Sequence, residues 1–127
     1  MARNYRTKNG ISFGTGVSDL SGLNIEYYTT SLGTTTPTVI GLCSTSVIRS
    51  AKYLVQLTQV SNNQVAELLT IHNGSSASVI EYGNISTGNT IVASFSTGIT
   101  SGNMVLLATL ASAITTNIKI ERTAIGI

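Results

Sequence analysis

Residues that could carry acid–base, nucleophilic or metal chemistry are few in this sequence, and they lie far apart. The acids, the histidine and the cysteine are Asp19, Glu26, Glu67, Glu81, Glu121, His72 and Cys43. General acid–base catalysis needs carboxylates or imidazoles held near one another, and a structural metal needs three or four ligands at characteristic spacings. This set supplies neither arrangement, so the sequence predicts that the chain is not an enzyme and holds no cofactor or metal.

The two acids that come closest to forming a site are Glu67 and Glu81. They flank the Asn73-Gly74 dipeptide, a strong hairpin signal. We therefore expect them on adjacent strands, near each other but not directly opposed. Ion pairs are favoured over a carboxylate dyad, and the basic residues available for them are Lys52, Arg49 and Arg122.

The tyrosines offer a second kind of site. Tyr27 and Tyr28 are adjacent, so they face opposite ways on a strand, and Tyr82 lies in the strand-rich half of the chain. Tyrosine rings on the face of a β-sandwich can stack on sugars, which would suit a carbohydrate- or receptor-binding module. The alternative, favoured here, is that these rings fill the core and its rim while each hydroxyl finds a partner.

The first residues form a short basic segment. Arg3, Arg6 and Lys8 stand close together, whereas the net charge of the whole chain is only +2. Because no second basic cluster follows, the pattern favours an arm in solvent or against a protein, and it argues against nucleic-acid binding. We interpret residues 1–12 as an assembly arm.

Composition limits where the protein works. Cys43 is the only cysteine, so no intrachain disulfide forms, and its apolar neighbours predict a buried, inert thiol rather than a nucleophile paired with His72. There is no secretory signal and no apolar run long enough to cross a membrane, which predicts assembly in a cytoplasm. Only 9% of residues are charged, as suits a protein that packs against copies of itself or a larger assembly.

Alternating apolar and polar residues predict strands throughout. They are expected at Asn24–Tyr28, Thr38–Leu42, Lys52–Val60, Val65–His72, Ser78–Tyr82, Thr90–Ser96, Asn103–Leu110 and Asn117–Thr123. The predicted fold is all-β: an antiparallel, jelly-roll-like β-sandwich with an extended N-terminal arm. Residues 1–45 form the arm and an irregular segment that packs on the core, and residues 46–127 form the sandwich.

Some of these strands are apolar on both faces. The clearest are AELLTI, in the strand that contains Glu67, and MVLLATL near the C-terminus. A strand buried on two sides lies either inside a packed domain or in an interface between subunits. The sequence leaves these two possibilities open.

Two segments carry a family resemblance: AKYLVQLTQVSNNQVAELLTIHNGSSASVIEYG and GNMVLLATLASAITTNIKIERTAI. They resemble a β-rich module in structural proteins of tailed bacteriophages, particularly phages of cyanobacteria. Its pattern is a KY-hydrophobic-V-Q strand, then a hairpin of the form E-hydrophobic-hydrophobic-x-hydrophobic-H-x-G. A short strand ending near EYG follows, and a closing strand ends with a basic residue followed by Thr. The matching residues are Lys52, Tyr53, Val55, Gln56, Glu67, Leu68, Leu69, Ile71, His72, Gly74, Glu81, Tyr82, Gly83, Arg122 and Thr123.

This resemblance implies a virion component with no catalytic residues. Because the chain is short, we expect a non-enzymatic protein that decorates or cements the head, with the major capsid protein and other virion proteins as partners. The alternatives are a tail-fibre or neck appendage subunit, or a carbohydrate- or receptor-binding module. A homo-oligomer is expected, and the resemblance together with the doubly apolar strands favours a trimer.

Overall fold

A computed structural model describes residues 16–20 and 23–127, with side chains described from residue 25 onward. The predicted assembly arm, residues 1–12 with Arg3, Arg6 and Lys8, lies outside the described residues. Within them the chain forms strands joined by turns and short loops. The strands are β1 Gly16–Leu20, β2 Leu23–Leu32, β3 Thr38–Ser44, β4 Ile48–Gln59, β5 Asn62–His72, β6 Ala77–Ser86, β7 Ala93–Thr100, β8 Asn103–Leu110 and β9 Thr116–Gly126.

These strands form two antiparallel sheets, which confirms the predicted all-β antiparallel sandwich. The large sheet has the order β1-β2-β9-β4-β5-β6, and the small sheet has the order β3-β8-β7. The finer description as jelly-roll-like is not confirmed. A jelly roll divides eight strands between two sheets, whereas the division here is six and three.

The core lies between the sheets and follows from the alternation of side chains along each strand. On β4, Tyr53, Val55 and Leu57 are buried while the residues between them are exposed. On β9, Ile118 and Ile120 are buried. The small sheet covers them with Met104, Leu106, Ala108 and Leu110 of β8.

A buried glutamine joins the two sheets. Gln64 at the start of β5 is 1% exposed. Its Oε1 accepts hydrogen bonds from the backbone N–H groups of Val92 (2.6 Å) and Ala93 (3.0 Å), and its Nε2 donates to the carbonyl of Ala93 (3.1 Å). The amide therefore satisfies backbone groups where the chain enters β7, which would otherwise be buried without partners.

Turn chemistry fixes the hairpins. The loop between β5 and β6 is longer than a two-residue turn: Asn73 Oδ1 accepts from the N–H groups of Ser75 and Ser76, and Gly74 has a φ of 97°. Between β4 and β5, Val60 has a φ of 56° and is 82% exposed. Positive φ is strained for a β-branched residue, so this tight turn is formed at an energetic cost.

One irregularity interrupts the edge of the large sheet. β6 pairs only with β5, and its register shifts so that Glu67 lies opposite Gly83 while Leu68 lies opposite Glu81. Tyr82 is the extra residue. Such a bulge bends the strand and breaks the regular row of backbone groups along its edge.

Candidate functional face

The outer face of the large sheet is the side turned away from the small sheet. Four rows of side chains cross it, in the strand order β2, β9, β4, β5 and β6. The first row is Ile125, Ser50, Ile71 and Ser78; the second is Ile25, Thr123, Lys52, Leu69 and Ile80; the third is Tyr27, Glu121, Leu54, Glu67 and Gly83; the fourth is Thr29, Lys119, Gln56, Val65 and Ile85.

The half of the outer face that β5 and β6 supply is apolar and open to solvent. Leu69 is 47% exposed, Ile71 53%, Ile80 60% and Ile85 71%. The first three line a shallow depression of about 350 Å³ together with Ser50 and Ser78. The face of an antiparallel sheet that meets water normally carries polar side chains, so this concentration of exposed aliphatic groups makes the face a candidate interaction surface.

This surface resolves which side of β5 belongs to the core. Leu68 is fully buried while its neighbours Leu69 and Ile71 are exposed. The pairing of β5 with β4 places Leu68 opposite Tyr53 and Leu69 opposite Lys52. Since Tyr53 is a core residue, its partner is inward, and the second apolar side of β5 faces out.

An ion pair with an attached tyrosine stands at the middle of the outer face. Lys52 Nζ lies 2.9 Å from Glu67 Oε1, and the Tyr82 hydroxyl donates to the same oxygen at 2.8 Å. The hydrogen bonds from Lys52 and Tyr82 hold the pKa of Glu67 below its ordinary value. The hydrogen bond and charge of Glu67 raise the pKa of Lys52. The bulge at Tyr82 turns its ring toward this pair.

The three tyrosines singled out by the sequence do not form one site. Tyr27 is exposed on the outer face, on β2, whereas Tyr82 lies on β6, four strand spacings away, or about 19 Å. Tyr28 points inward, and its hydroxyl donates to the carbonyl of Ile40. Burial, more than the nearby carboxylate of Glu26, raises the pKa of Tyr28 well above its ordinary value.

Tyr28 belongs to a buried polar cluster that sequence reasoning did not find. Its centre is Arg122, which is 5% exposed. The guanidinium donates to the carbonyl of Leu42 (3.0 Å) and to Cys43 Sγ (3.3 Å) and lies 3.9 Å from the carboxylate of Glu26. The sequence does indicate an inward side chain at this position, because Arg122 lies at alternate positions with Ile118 and Ile120 and therefore on the same side of β9.

The tyrosines close this cluster against the small sheet. The Tyr53 hydroxyl lies 3.5 Å from Cys43 Sγ, and burial raises the pKa of Tyr53 well above its ordinary value. A Cβ on Gly41 would lie 2.9 Å from Tyr53 Cε1 and 3.0 Å from the Tyr28 hydroxyl. Only glycine therefore lets β3 pass this close to the rings.

The potential catalytic pairs are separated. Glu67 lies on the outer face and binds Lys52, whereas Glu81 pairs across from inward-facing Leu68 and accepts hydrogen bonds from Asn84. Within the described residues, no three His, Cys, Asp or Glu side chains come together as metal ligands, and no helix is long and apolar enough to cross a membrane.

His72 likewise serves the backbone and does not contact Cys43. Its Nδ1 accepts from the N–H of Gly74 at 2.9 Å, and its Nε2 bonds the carbonyl of Ile48. Through these two contacts the ring joins the end of β5 to the start of β4.

No protein-family model matches this chain, and no curated protein does so. Among solved structures it is similar to parts of tailspike proteins. For the tailspike of Acinetobacter baumannii phage AM24, identity is 8% and the TM-score 0.49, over 83% of this chain and 26% of that one. For the tailspike of Acinetobacter phage vB_ApiP_P1, identity is 18% and the TM-score 0.44, over 97% of this chain and 25% of that one. The third is the tailspike of Acinetobacter baumannii bacteriophage Fri1, which is described as a capsular polysaccharide depolymerase. Its identity is 12% and the TM-score 0.43, over 83% of this chain and 19% of that one.

The chain thus spans about a quarter or less of the length of each of these tailspikes. At these identities and TM-scores the likeness concerns β-rich architecture alone, and no residue role is taken from it. All three are described as phage tailspike proteins. The comparisons give no support to the cyanophage detail, to head decoration or to the major capsid protein as partner.

The prediction that the chain is not an enzyme is wrong as stated. One tailspike to which it is similar is described as a depolymerase, so a similar β-rich region occurs within an enzyme. The prediction rested on the few, widely spaced acids among these 127 residues. The similarity covers only 19% of that tailspike, and such a count says nothing about a catalytic site elsewhere in a longer protein.

Proposed function

We propose that this chain is a β-sandwich module of a tail appendage in a tailed-phage virion, where it holds the appendage together as a closed homo-oligomer. The observation that carries the proposal is the exposed apolar half of the outer face, with Leu69, Ile71, Ile80 and Ile85. A surface of this kind is rare on a monomeric protein and typical of one that works in an assembly.

The virion setting is supported by the sequence resemblance over residues 50–125. The resemblance also points to the place in the virion, because such modules of long phage proteins tend to appear as parts of tail fibres or other appendages. The preference for the head depended on the shortness of the chain, and length alone does not distinguish a whole protein from one module of a longer one. Without that argument, an appendage is the better proposal, and a trimer is the favoured closed form.

The test is the copy number and position of the protein in purified particles. Quantitative mass spectrometry relative to the major capsid protein is expected to give a ratio far below one, and immunogold labelling is expected to mark the tail. A ratio approaching one, with label over the head, would instead establish decoration of the shell. Absence from particles would overturn the virion proposal altogether.

A second candidate function rests on one observation, the exposed ring of Tyr82 with its hydroxyl held by Glu67. An aromatic face beside a carboxylate is a common arrangement for contact with a sugar. The discriminating measurement is a glycan array with the unchanged protein and the Tyr82→Ala variant. Micromolar binding lost in the variant, with the fold intact by circular dichroism, would favour a carbohydrate-binding module over an assembly module.

A further inference from the structure

We infer that the outer face of the large sheet is the contact surface between copies of this chain. The inference rests on the proposed function, because it names the surface and the partner through which the module would assemble. The partner is a second copy of this chain. In the oligomer, the outer faces of the copies point toward the symmetry axis and contact one another there. Four features of the face favour this partner over others.

The first feature is where the apolar side chains lie. Leu69 and Ile80 are direct cross-strand neighbours, and Ile71 follows Leu69 on the same side of β5. They form a continuous strip in the apolar half and line the depression of about 350 Å³. Aliphatic side chains of a copy would fill that depression without requiring new polar partners, as in the core of an interface between subunits.

The second feature is size. The outer face is formed by five strands, β2, β9, β4, β5 and β6. At about 4.8 Å between strands and about 3.4 Å per residue, the face is about 24 Å wide and, over ten residues, about 34 Å long. The resulting area of roughly 800 Å² equals what one partner contributes to a standard stable interface. The outer face is therefore large enough for one specific contact between folded domains.

The third feature is charge. The outer face carries two lysines, Lys52 and Lys119, and two glutamates, Glu67 and Glu121, so its formal charge is zero. Such a face attracts neither nucleic acid nor an acidic protein, but it is compatible with itself. Lys119 and Glu121 have no ion-pair partner within the described part of the chain. They are available to pair across the interface, around the apolar strip.

The fourth feature is the edge of the sheet beside the apolar half. A copy could also add to β6 by strand pairing, since β6 pairs on one side only. The bulge at Tyr82 interrupts that edge, and bulges work against edge-to-edge association. Contact through the outer face is therefore favoured over strand addition at this edge.

The experiment compares a double aspartate variant of the outer face with a single aspartate variant of the small sheet. Ile71→Asp with Ile80→Asp places charge on the outer face, and Leu42→Asp places it on β3 of the small sheet. Leu42 and Ile71 are both 53% exposed in the isolated chain, so neither substitution buries a charge within a monomer. Circular dichroism and thermal unfolding at low concentration verify that both variants fold.

Mass is then measured by light scattering and sedimentation across a range of concentrations. The unchanged protein is expected at a multiple of 13.3 kDa, and Leu42→Asp at the same multiple. The double variant is expected at the monomer mass, with a dissociation constant raised at least about tenfold, the effect of removing one well-buried apolar contact. A milder variant, Ile80→Ser, is expected to weaken association while leaving the fold unchanged.

Two results would overturn the inference: a monomeric unchanged protein at high concentration, or equal dissociation by Leu42→Asp and the double variant. Failure of the proposed function would look different. A protein that self-associates through the outer face but is absent from virions contradicts the virion setting alone. A protein found in tail appendages but unaffected by the outer-face variants contradicts the interface alone.

Discussion

The two sides of the large sheet are built from the same strands, but only the inner side is covered by the small sheet. On the inner side, Tyr53, Leu68 and Ile120 are packed under the small sheet, and the charged Arg122 is enclosed with carbonyl, thiol and carboxylate partners. On the outer side, Leu69 and its neighbours are equally apolar yet uncovered. Apolar content alone therefore does not define the core of this domain. The coverage supplied by three strands does.

The largest effect expected from this difference comes from two leucines that are adjacent in sequence. Leu68→Ala should lower the free energy of unfolding by about 2–5 kcal/mol, because it leaves a cavity in a packed core. Leu69→Ala should change it by no more than about 0.5 kcal/mol in the monomer, because the side chain is half in water.

Denaturant unfolding at low and at high protein concentration measures both leucine variants. If association covers the outer face, the cost of Leu69→Ala should grow with concentration while that of Leu68→Ala changes little. A Leu69→Ala variant as damaging as Leu68→Ala at the lowest concentration would break the distinction between the two sides.

A second contrast concerns Arg122 and Lys52, the cations that form ion pairs within the described residues. Arg122→Met should cost about 3 kcal/mol, because it leaves buried acceptors and the carboxylate of Glu26 without the guanidinium. Lys52→Met should cost much less, since an exposed pair contributes little. The same unfolding titrations measure both, and a costly Lys52→Met would show that the outer ion pair is shielded in solution.

A third contrast uses two glutamines on opposite sides of the sheet. Gln64→Leu should cost about 1–3 kcal/mol, since it leaves the buried N–H groups of Val92 and Ala93 unsatisfied. Gln56→Leu, on the outer face, should be near neutral. Hydrogen exchange provides a local readout: amide protection at Val92 and Ala93 should fall in the first variant only. Unchanged protection there would mean that Gln64 does not secure β7.

The smallest expected effect is a change in the pKa of Glu67. Because the folded-state pKa of Glu67 is lowered by Lys52 and Tyr82, its contribution to stability is present above the ordinary carboxyl pKa and is lost as pH falls through the lowered value. NMR titration should show the pKa of Glu67 rising toward its ordinary value in Lys52→Met. No movement in that variant would mean that the ion pair does not form in solution.

Much of the inner side could be predicted from sequence, but little of the outer side. On β9, Ile118 and Ile120 alternate with Lys119 and Glu121, so orientation follows from polarity. On β5, Leu68 competes with Leu69 and Ile71, and period-two alternation does not say which set is inward. Only the register against Tyr53 decides. Arg122 and Gln64 were missed because residue type was given more weight than position, although both share the parity of buried neighbours.

The bulge at Tyr82 has a consequence for how copies of the protein can join. A regular open strand at a sheet edge would let copies add one after another into fibres. The extra residue in β6 interrupts that route at this edge of the large sheet. Strand addition to β6 is therefore disfavoured, while association through the outer face stays available. One inserted residue thus favours a contact that can end in a closed oligomer over one that can repeat without limit.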